Sequence, residues 1–161
     1  MAFRLSMADS RPIKNSFSFY RADMAALESL VTGLKEAGVN VREATVLRAL
    51  IHLATPTEMI THAVRFAGDR ALGITPPEEE NVAGRPTVDL PEVDVKKLDD
   101  VLDHLAKAKL VATRAYVVRA MLRAAPDGKT LAPAVEKFLV DFPNRPRGLA
   151  VRRAREANNH G

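Results

Sequence analysis

The chain has 161 residues and a net charge of +4; 47% of the residues are hydrophobic and 5% aromatic, so it can bury a core built mostly from Ala, Leu and Val. It contains no Cys, which excludes disulfides, a thiolate nucleophile and a Cys-ligated metal site. It has no run of about 18 uncharged apolar residues and no signal-peptide pattern at its start, so we expect a cytoplasmic protein without a membrane span.

The sequence repeats itself, without a gap, at a spacing of 71 residues. Residues 17–54 laid over residues 88–125 give nine identities in 38 positions, where ordinary residue usage would give on the order of three. Most of the other apolar positions agree in class. We therefore predict two copies of one supersecondary unit, and a function that depends on the pair.

Each copy opens with a short stretch in which apolar and polar residues alternate, at residues 16–20 and 87–91. This period of two predicts two half-buried strands. The inward positions are Phe17, Phe19, Val88 and Leu90. The outward positions are Ser16, Ser18, Tyr20, Thr87 and Asp89.

Two amphipathic helices follow in each copy. The first begins near Asp23 in copy one and near Asp94 in copy two, because a carboxylate suits the first turn of a helix. Gly38 is placed to end the helix of copy one in the left-handed conformation. Lys109 stands at the matching position of copy two, so that turn must be built differently or under strain.

A third helical stretch follows in each copy, over residues 58–72 and 131–142, and we expect it to pack on the outside. Both copies should form one structural domain. The predicted order is a flexible N-terminal tail (1–11), repeat 1 with its extra helix (12–72), an exposed linker (73–85), repeat 2 with its extra helix (86–144) and a basic C-terminal tail (145–161).

A single strand followed by two helices can neither pair its edge nor bury both helical faces, whereas two copies can if their strands pair antiparallel. The order strand, helix, turn, helix resembles the ribbon-helix-helix DNA-binding family. Residues 113–120, TRAYVVRA, are similar to the opening of that family's second helix, and residues 42–49, REATVLRA, keep the hydrophobic-hydrophobic-Arg part. The resemblance implies a mainly α fold: a tandem ribbon-helix-helix pseudo-dimer with a two-stranded antiparallel ribbon and an additional C-terminal helix in each repeat.

The resemblance also implies that the ribbon enters the major groove of double-stranded DNA, where its outward residues contact the bases. Because the two strands differ, we expect a non-palindromic site or weak sequence preference. Further phosphate contacts are implied at the start of each second helix, around Arg42, Thr113 and Arg114. Lys14 and Arg85, just before the strands, would add charge contacts to phosphates.

The expected function is DNA binding, either as a transcriptional regulator or as an accessory factor in plasmid or mobile-element transfer or maintenance. Other DNA-processing or regulatory proteins are the further partners we expect. The chain should be a monomer, with a strand-swapped homodimer as the alternative, in a prokaryotic cytoplasm and associated with the nucleoid. Glu43 and Asp89 bring negative charge toward a polyanion. They favour the alternative of a protein-interaction module, antitoxin-like or anti-activator, with weak or no DNA binding.

Enzyme chemistry is not indicated. The four His share no metal-ligand spacing, and no Gly-rich phosphate loop, nucleophile elbow or paired-carboxylate motif occurs. We therefore expect no catalytic residue, no cofactor and no metal. Arg48 and Arg119 lie in mid-helix, where ion pairing across the two copies is their expected role. Residues 145–155 hold five Arg and no acid, and are either a solvated end or a nucleic-acid arm.

Overall fold

The computed structural model describes residues 12–74 and 81–142. The predicted tails at residues 1–11 and 145–161 lie outside the described residues. This part of the chain is mainly helical with one small two-stranded antiparallel sheet, as predicted. The elements are β1 (Ile13–Ser16), α1 (Arg21–Glu36), α2 (Glu43–Leu53), α3 (Pro56–Ala71), β2 (Thr87–Leu90), α4 (Glu92–Lys107), α5 (Arg114–Ala124) and α6 (Gly128–Asp141).

The register of the sheet places Ser16 opposite Thr87 and Ile13 opposite Leu90. Ser16 and Thr87 are themselves 71 residues apart and end the regular ladder, but together with the bridge between Phe19 and Gly84 they lie at the centre of the whole paired region. The prediction of a strand at residues 16–20 is therefore wrong in its bounds. β2 pairs with the segment that precedes Phe17, because the two strands run in opposite directions from this central pair.

The pairing extends past Ser16 in a less regular form. Phe17 donates its backbone N–H to the carbonyl of Pro86 at 3.1 Å, and Phe19 forms a bridge with Gly84. Pro86 has no N–H to donate in return, which interrupts the ladder. Gly84 falls in the predicted linker, so the end of that linker belongs to the sheet. We call residues 13–19 and 84–90 together the ribbon.

One face of the ribbon is buried. Phe17, Phe19, Val88 and Leu90 are each at most 1% exposed, which confirms their predicted inward positions. The two Phe rings stack with their centroids 6.2 Å apart. Since burying one such side chain stabilises the fold by roughly 1.5 to 3 kcal/mol, this face anchors the ribbon on the helices beneath it.

We call β1 with α1–α3 the first half and β2 with α4–α6 the second half. The third helix of each half packs on the other half. α3 packs on α4 and α5, and α6 packs on α1 and α2. Each third helix has one apolar face that completes the shared core, while most of its other residues are exposed, as expected for a helix that packs on the outside of that core. The buried side chains that they contribute are Met59, Ala63 and Phe66 from α3, and Ala132, Val135 and Phe138 from α6.

The turn that ends the first helix of each half needs a left-handed backbone. Gly38 has a φ of 89° and Lys109 has a φ of 66°. For a residue with a side chain this conformation costs about 1 to 2 kcal/mol. The sequence left open whether the turn at Lys109 is built differently from that at Gly38 or is strained. The structure has the same left-handed turn, and it is strained at Lys109.

A carboxylate is buried between the two halves. Asp23 accepts hydrogen bonds from Nε of Arg119 at 2.7 Å, from Nε of Arg123 at 2.8 Å and from the backbone N–H of Tyr20 at 2.9 Å. The guanidinium of Arg119 also lies 4.8 Å from the ring centroid of Tyr20 and 5.3 Å from that of Phe66. These contacts confirm the predicted pairing of Arg119 across the two halves.

The matching carboxylate of the second half, Asp94, has different partners. Nδ1 of His52 lies 3.2 Å from each of its oxygens, and Nζ of Lys97 lies 3.8 Å away. Pro91 precedes α4 where Tyr20 precedes α1, and proline has no backbone N–H to offer. Lys97 also donates to two carbonyl oxygens at the end of α2, each at 2.9 Å. Burial lowers the pKa of Lys97, and Asp94 acts in the opposite direction.

The first prediction concerns the crossing of α1 and α6. A Cβ on Gly33 would lie 2.9 Å from Cα of Gly128, a backbone atom that cannot move aside alone. We expect Gly33→Ala to destabilise the protein by about 1 to 3 kcal/mol. Gly68→Ala in α3 is the control, because its Cβ would meet nothing within 4 Å. It should be neutral or stabilising by up to about 1 kcal/mol. Urea unfolding measures both, and equal effects would contradict the close crossing.

The second prediction concerns the buried carboxylate. Asp23→Ala leaves Arg119 and Arg123 without their shared anion, which should lower the free energy of unfolding by about 3 to 5 kcal/mol. Asp100→Ala is the control, since its ion pair with Lys96 joins side chains that are 60% and 75% exposed. It should change stability by less than about 1 kcal/mol. Similar urea midpoints for the two variants would show that the buried pair is not needed for stability.

Candidate nucleic-acid interface

The face of the ribbon that points away from the core is polar. Residues opposite each other in an antiparallel pair share a face, so the register collects these side chains on one side. Ser18 and Asp89 are half-buried and the other four are exposed. We call these six residues the outer face: Lys14, Ser16, Ser18, Arg85, Thr87 and Asp89.

The outer face consists of three cross-strand pairs. The first two follow from the strand register, and the third follows from the bridge between Phe19 and Gly84. The pairs are Lys14 with Asp89, Ser16 with Thr87, and Ser18 with Arg85. The hydroxyl oxygens of Ser16 and Thr87 lie 3.1 Å apart, within hydrogen-bond distance. A cation faces an anion at one end and a hydroxyl at the other, so the two ends are chemically different.

Lys14 and Arg85 lie at opposite ends of the outer face, within the paired part of the ribbon and not before the strands as the sequence predicted. Their expected positions were just before the strands, where they would reach phosphates. The structure has Lys14 inside β1 and Arg85 opposite Ser18. Both side chains therefore belong to the outer face, on the same side of the ribbon as the hydroxyls of Ser16 and Thr87.

Tyr20 does not belong to the outer face, and its predicted outward position is wrong. It is the N-cap residue of α1, and its half-buried ring lies 4.8 Å from the guanidinium of Arg119. The chain leaves the ribbon after Phe19 and turns into α1, so the alternation of faces stops one residue earlier than the sequence pattern suggested.

The starts of α2 and α5 coincide with the predicted starts of the second helices. Arg42 is the exposed N-cap residue of α2, and its side chain makes no capping hydrogen bond. Glu43 follows as the first residue of α2. Thr113 caps α5, because its hydroxyl accepts the backbone N–H of Tyr116 at 3.1 Å. The bonded N–H of Tyr116 lies just beyond the residues for which phosphate contacts were predicted.

Arg114 is bound within the protein. Its Nε and Nη2 each donate to one carboxylate oxygen of Asp99 on α4 at 2.7 Å, and its Nη1 donates to Oδ1 of Asn15 on β1 at 3.0 Å. Asn15 is 7% exposed, and its Nδ2 donates to the carbonyl of Ile13. We call Arg114, Asp99 and Asn15 the brace. The hydrogen bonds from Arg114 lower the pKa of Asp99, and Asp99 raises the pKa of Arg114.

The sequence pattern does not predict Asn15 or Asp99 as site residues. Asn15 is a polar residue on the inner side of the ribbon, so it breaks the alternation and made the strand appear to begin at Ser16. The repeat offers no second copy of the brace as a guide, because the aligned positions are occupied by Pro86, Glu28 and Glu43. Only the register of the sheet brings Asn15 to the start of α5.

Comparison with protein-family models, with curated proteins and with solved structures gives no match. Within residues 12–74 and 81–142, no group of three or more His, Asp or Glu side chains is arranged to hold a metal ion. None of the helices in this part of the chain is long and apolar enough to cross a membrane.

The third prediction concerns the brace in acid. The pKa of Asp99 lies below its ordinary value of 3.8, so the ion pair stabilises the fold above that value and is lost as pH falls through the lowered pKa. The difference in unfolding free energy between the natural protein and Asp99→Asn should be constant from about pH 7 to 5 and shrink below about pH 4. Urea unfolding across this range measures it. A difference that grows toward low pH would contradict the assignment of the shift to Arg114.

Proposed function

We propose that this chain binds double-stranded DNA as a tandem ribbon-helix-helix pseudo-dimer, with the outer face of the ribbon in the major groove. The observation that carries the proposal is the outer face itself, which exposes cations and hydroxyls on one side of a ribbon whose other side is buried. A two-stranded ribbon is narrow enough to enter the major groove. The buried side holds the ribbon flat against the helices, so its polar side is available to a ligand.

The side chains of the outer face suit the edges of base pairs. Arg85 and Lys14 can donate to O6 and N7 of guanine, and Asp89 can accept from the amino group of cytosine. The hydroxyls of Ser16 and Thr87 act as donor or acceptor and adapt to several bases. Because the ends of the outer face differ, the preferred DNA site is not a palindrome.

The start of α2 supports contacts with the phosphate backbone. Arg42 is exposed there and its side chain is not used as a cap, so its charge is available to a phosphate. Glu43 beside it opposes the same contact. We infer a single binding unit, since the two halves share one core and form one ribbon. The biological role that we propose is a cytoplasmic regulator of transcription, or an accessory factor in transfer or maintenance of mobile DNA.

One observation favours a second candidate. Asp89 stands opposite Lys14 on the outer face, and Glu43 begins α2, so acids stand beside two of the cations that DNA binding would use. A protein-interaction module on the same scaffold, with weak or no DNA binding, would tolerate these acids. The salt dependence of binding separates the two candidates.

The fourth prediction tests DNA binding. The affinity for mixed-sequence duplex DNA should fall with salt at a log-log slope of about −0.9 for each phosphate whose counterions are released. Lys14→Ala combined with Arg85→Ala should weaken binding. It should also flatten the slope by about one to two units, because the two cations displace counterions from nearby phosphates when the outer face enters the groove. Fluorescence anisotropy at four or more salt concentrations measures both quantities.

The matched control removes the same number of charges elsewhere. Lys129→Ala combined with Lys137→Ala takes two exposed cations from α6, which packs on α1 and α2 and is not part of the ribbon. This control should change the slope much less than the ribbon variant does. Equal changes would mean that binding is diffuse, and no binding at any salt concentration would favour the interaction module.

A further inference from the structure

We propose that Arg114 is a positioning residue, which holds β1 in place through Asn15 so that Lys14 and Ser16 meet DNA, and that it does not itself contact a phosphate. This inference rests on the proposed function for its effect on DNA. Its structural half, the hold on β1, can be tested without DNA.

Three of the five N–H donors of Arg114 are used in the brace. Two nitrogens bind the carboxylate of Asp99 in the bidentate geometry that suits a guanidinium, and a third binds Asn15. Turning Arg114 toward a phosphate would break three hydrogen bonds. It would also leave the amide oxygen of Asn15, a residue that is 7% exposed, without this donor.

The N-terminal end of β1 needs an attachment to the helices. On the inner side of the ribbon, Phe17 and Phe19 hold their part of the strand by apolar burial, but the next inner position is occupied by the polar Asn15. Beyond it, Ile13 is 39% exposed and is buried much less completely than the two Phe side chains. A two-stranded sheet is marginal without support from the core. The hydrogen bond from Arg114 to Asn15 supplies that support between Lys14 and Ser16.

The brace joins β1 of the first half to α4 and α5 of the second half, and the repeat offers no reciprocal brace. The positions that the repeat aligns with Arg114, Asp99 and Asn15 hold Glu43, Glu28 and Pro86, which cannot form the same contacts. The Lys14–Asp89 end of the outer face is therefore held by side-chain hydrogen bonds that the Ser18–Arg85 end lacks. We infer that the brace sets base preference at the Lys14 end of the DNA site.

The first arm of the test uses the protein without DNA. Hydrogen exchange of the ribbon amides, followed residue by residue by NMR, should be about tenfold faster in Asp99→Asn and in Arg114→Gln, as expected for loss of about one charge-assisted hydrogen bond. Asp100→Asn is the control, because Asp100 is adjacent in sequence and pairs only at the surface with Lys96. Its ribbon amides should exchange at the natural rate.

The second arm measures DNA binding, for which a charge effect and a positioning role of the brace predict opposite results. Asp99→Asn removes a negative charge, so simple attraction to a polyanion would tighten binding. A positioning role predicts instead that affinity for the preferred duplex falls about tenfold, with weaker discrimination against other sequences and an unchanged salt slope. Arg114→Gln should show the same loss and the same slope, whereas Asp100→Asn should bind at least as tightly as the natural protein.

The outcomes separate the two proposals. If Arg114→Gln keeps slow ribbon exchange and its salt slope falls by about 0.9, Arg114 is a phosphate contact and the positioning role is overturned. Tighter binding by Asp99→Asn would overturn it as well. If the natural protein binds no DNA while both brace variants exchange faster, the DNA-binding proposal fails and the hold of Arg114 on β1 is supported.

Discussion

Each half of this protein buries the apolar surface of the other half, and the rest of the structure depends on that exchange. α3 completes the core over α4 and α5, and α6 does the same over α1 and α2. A half alone would leave these faces in water, at a cost of roughly 25 cal/mol for each Å² of apolar surface. The ribbon has the same dependence. The polar outer face therefore exists only when both halves are folded together, because each half supplies one of its two strands.

The buried charges fix how the halves meet. Asp23 is held by two arginines from α5, and an arrangement of the halves that separated these groups would leave buried charges unpaired. Asp94 occupies the matching place with His52 and Lys97, so the two sides of the interface are similar in position and different in chemistry. The brace adds a third difference at the ribbon. The two halves of the described chain are therefore chemically different both at their interface and at the ribbon.

Much of the fold could be predicted because local patterns repeat. The helical periods, the carboxylates in the first turns and the inward Phe17, Phe19, Val88 and Leu90 follow from rules that act within a few residues. The errors have one common cause, which is contact between distant segments. The bounds of β1 and the pairing of Tyr20 with Arg119 both depend on a partner from the other half. Local periodicity contains no information about that partner.

The candidate site also depends partly on local sequence patterns and partly on contacts between distant segments. The sequence by itself determined that Ser16, Ser18, Thr87 and Asp89 alternate with buried residues, because strand geometry assigns faces with a period of two. Only the tertiary structure decided that Lys14 and Arg85 join them, since this depends on the register between strands 71 residues apart. It also decided that Arg114 binds Asp99 and Asn15. A guanidinium is equally suited to a phosphate and to a carboxylate, and the choice between them is made by which group the folded chain brings within hydrogen-bond distance.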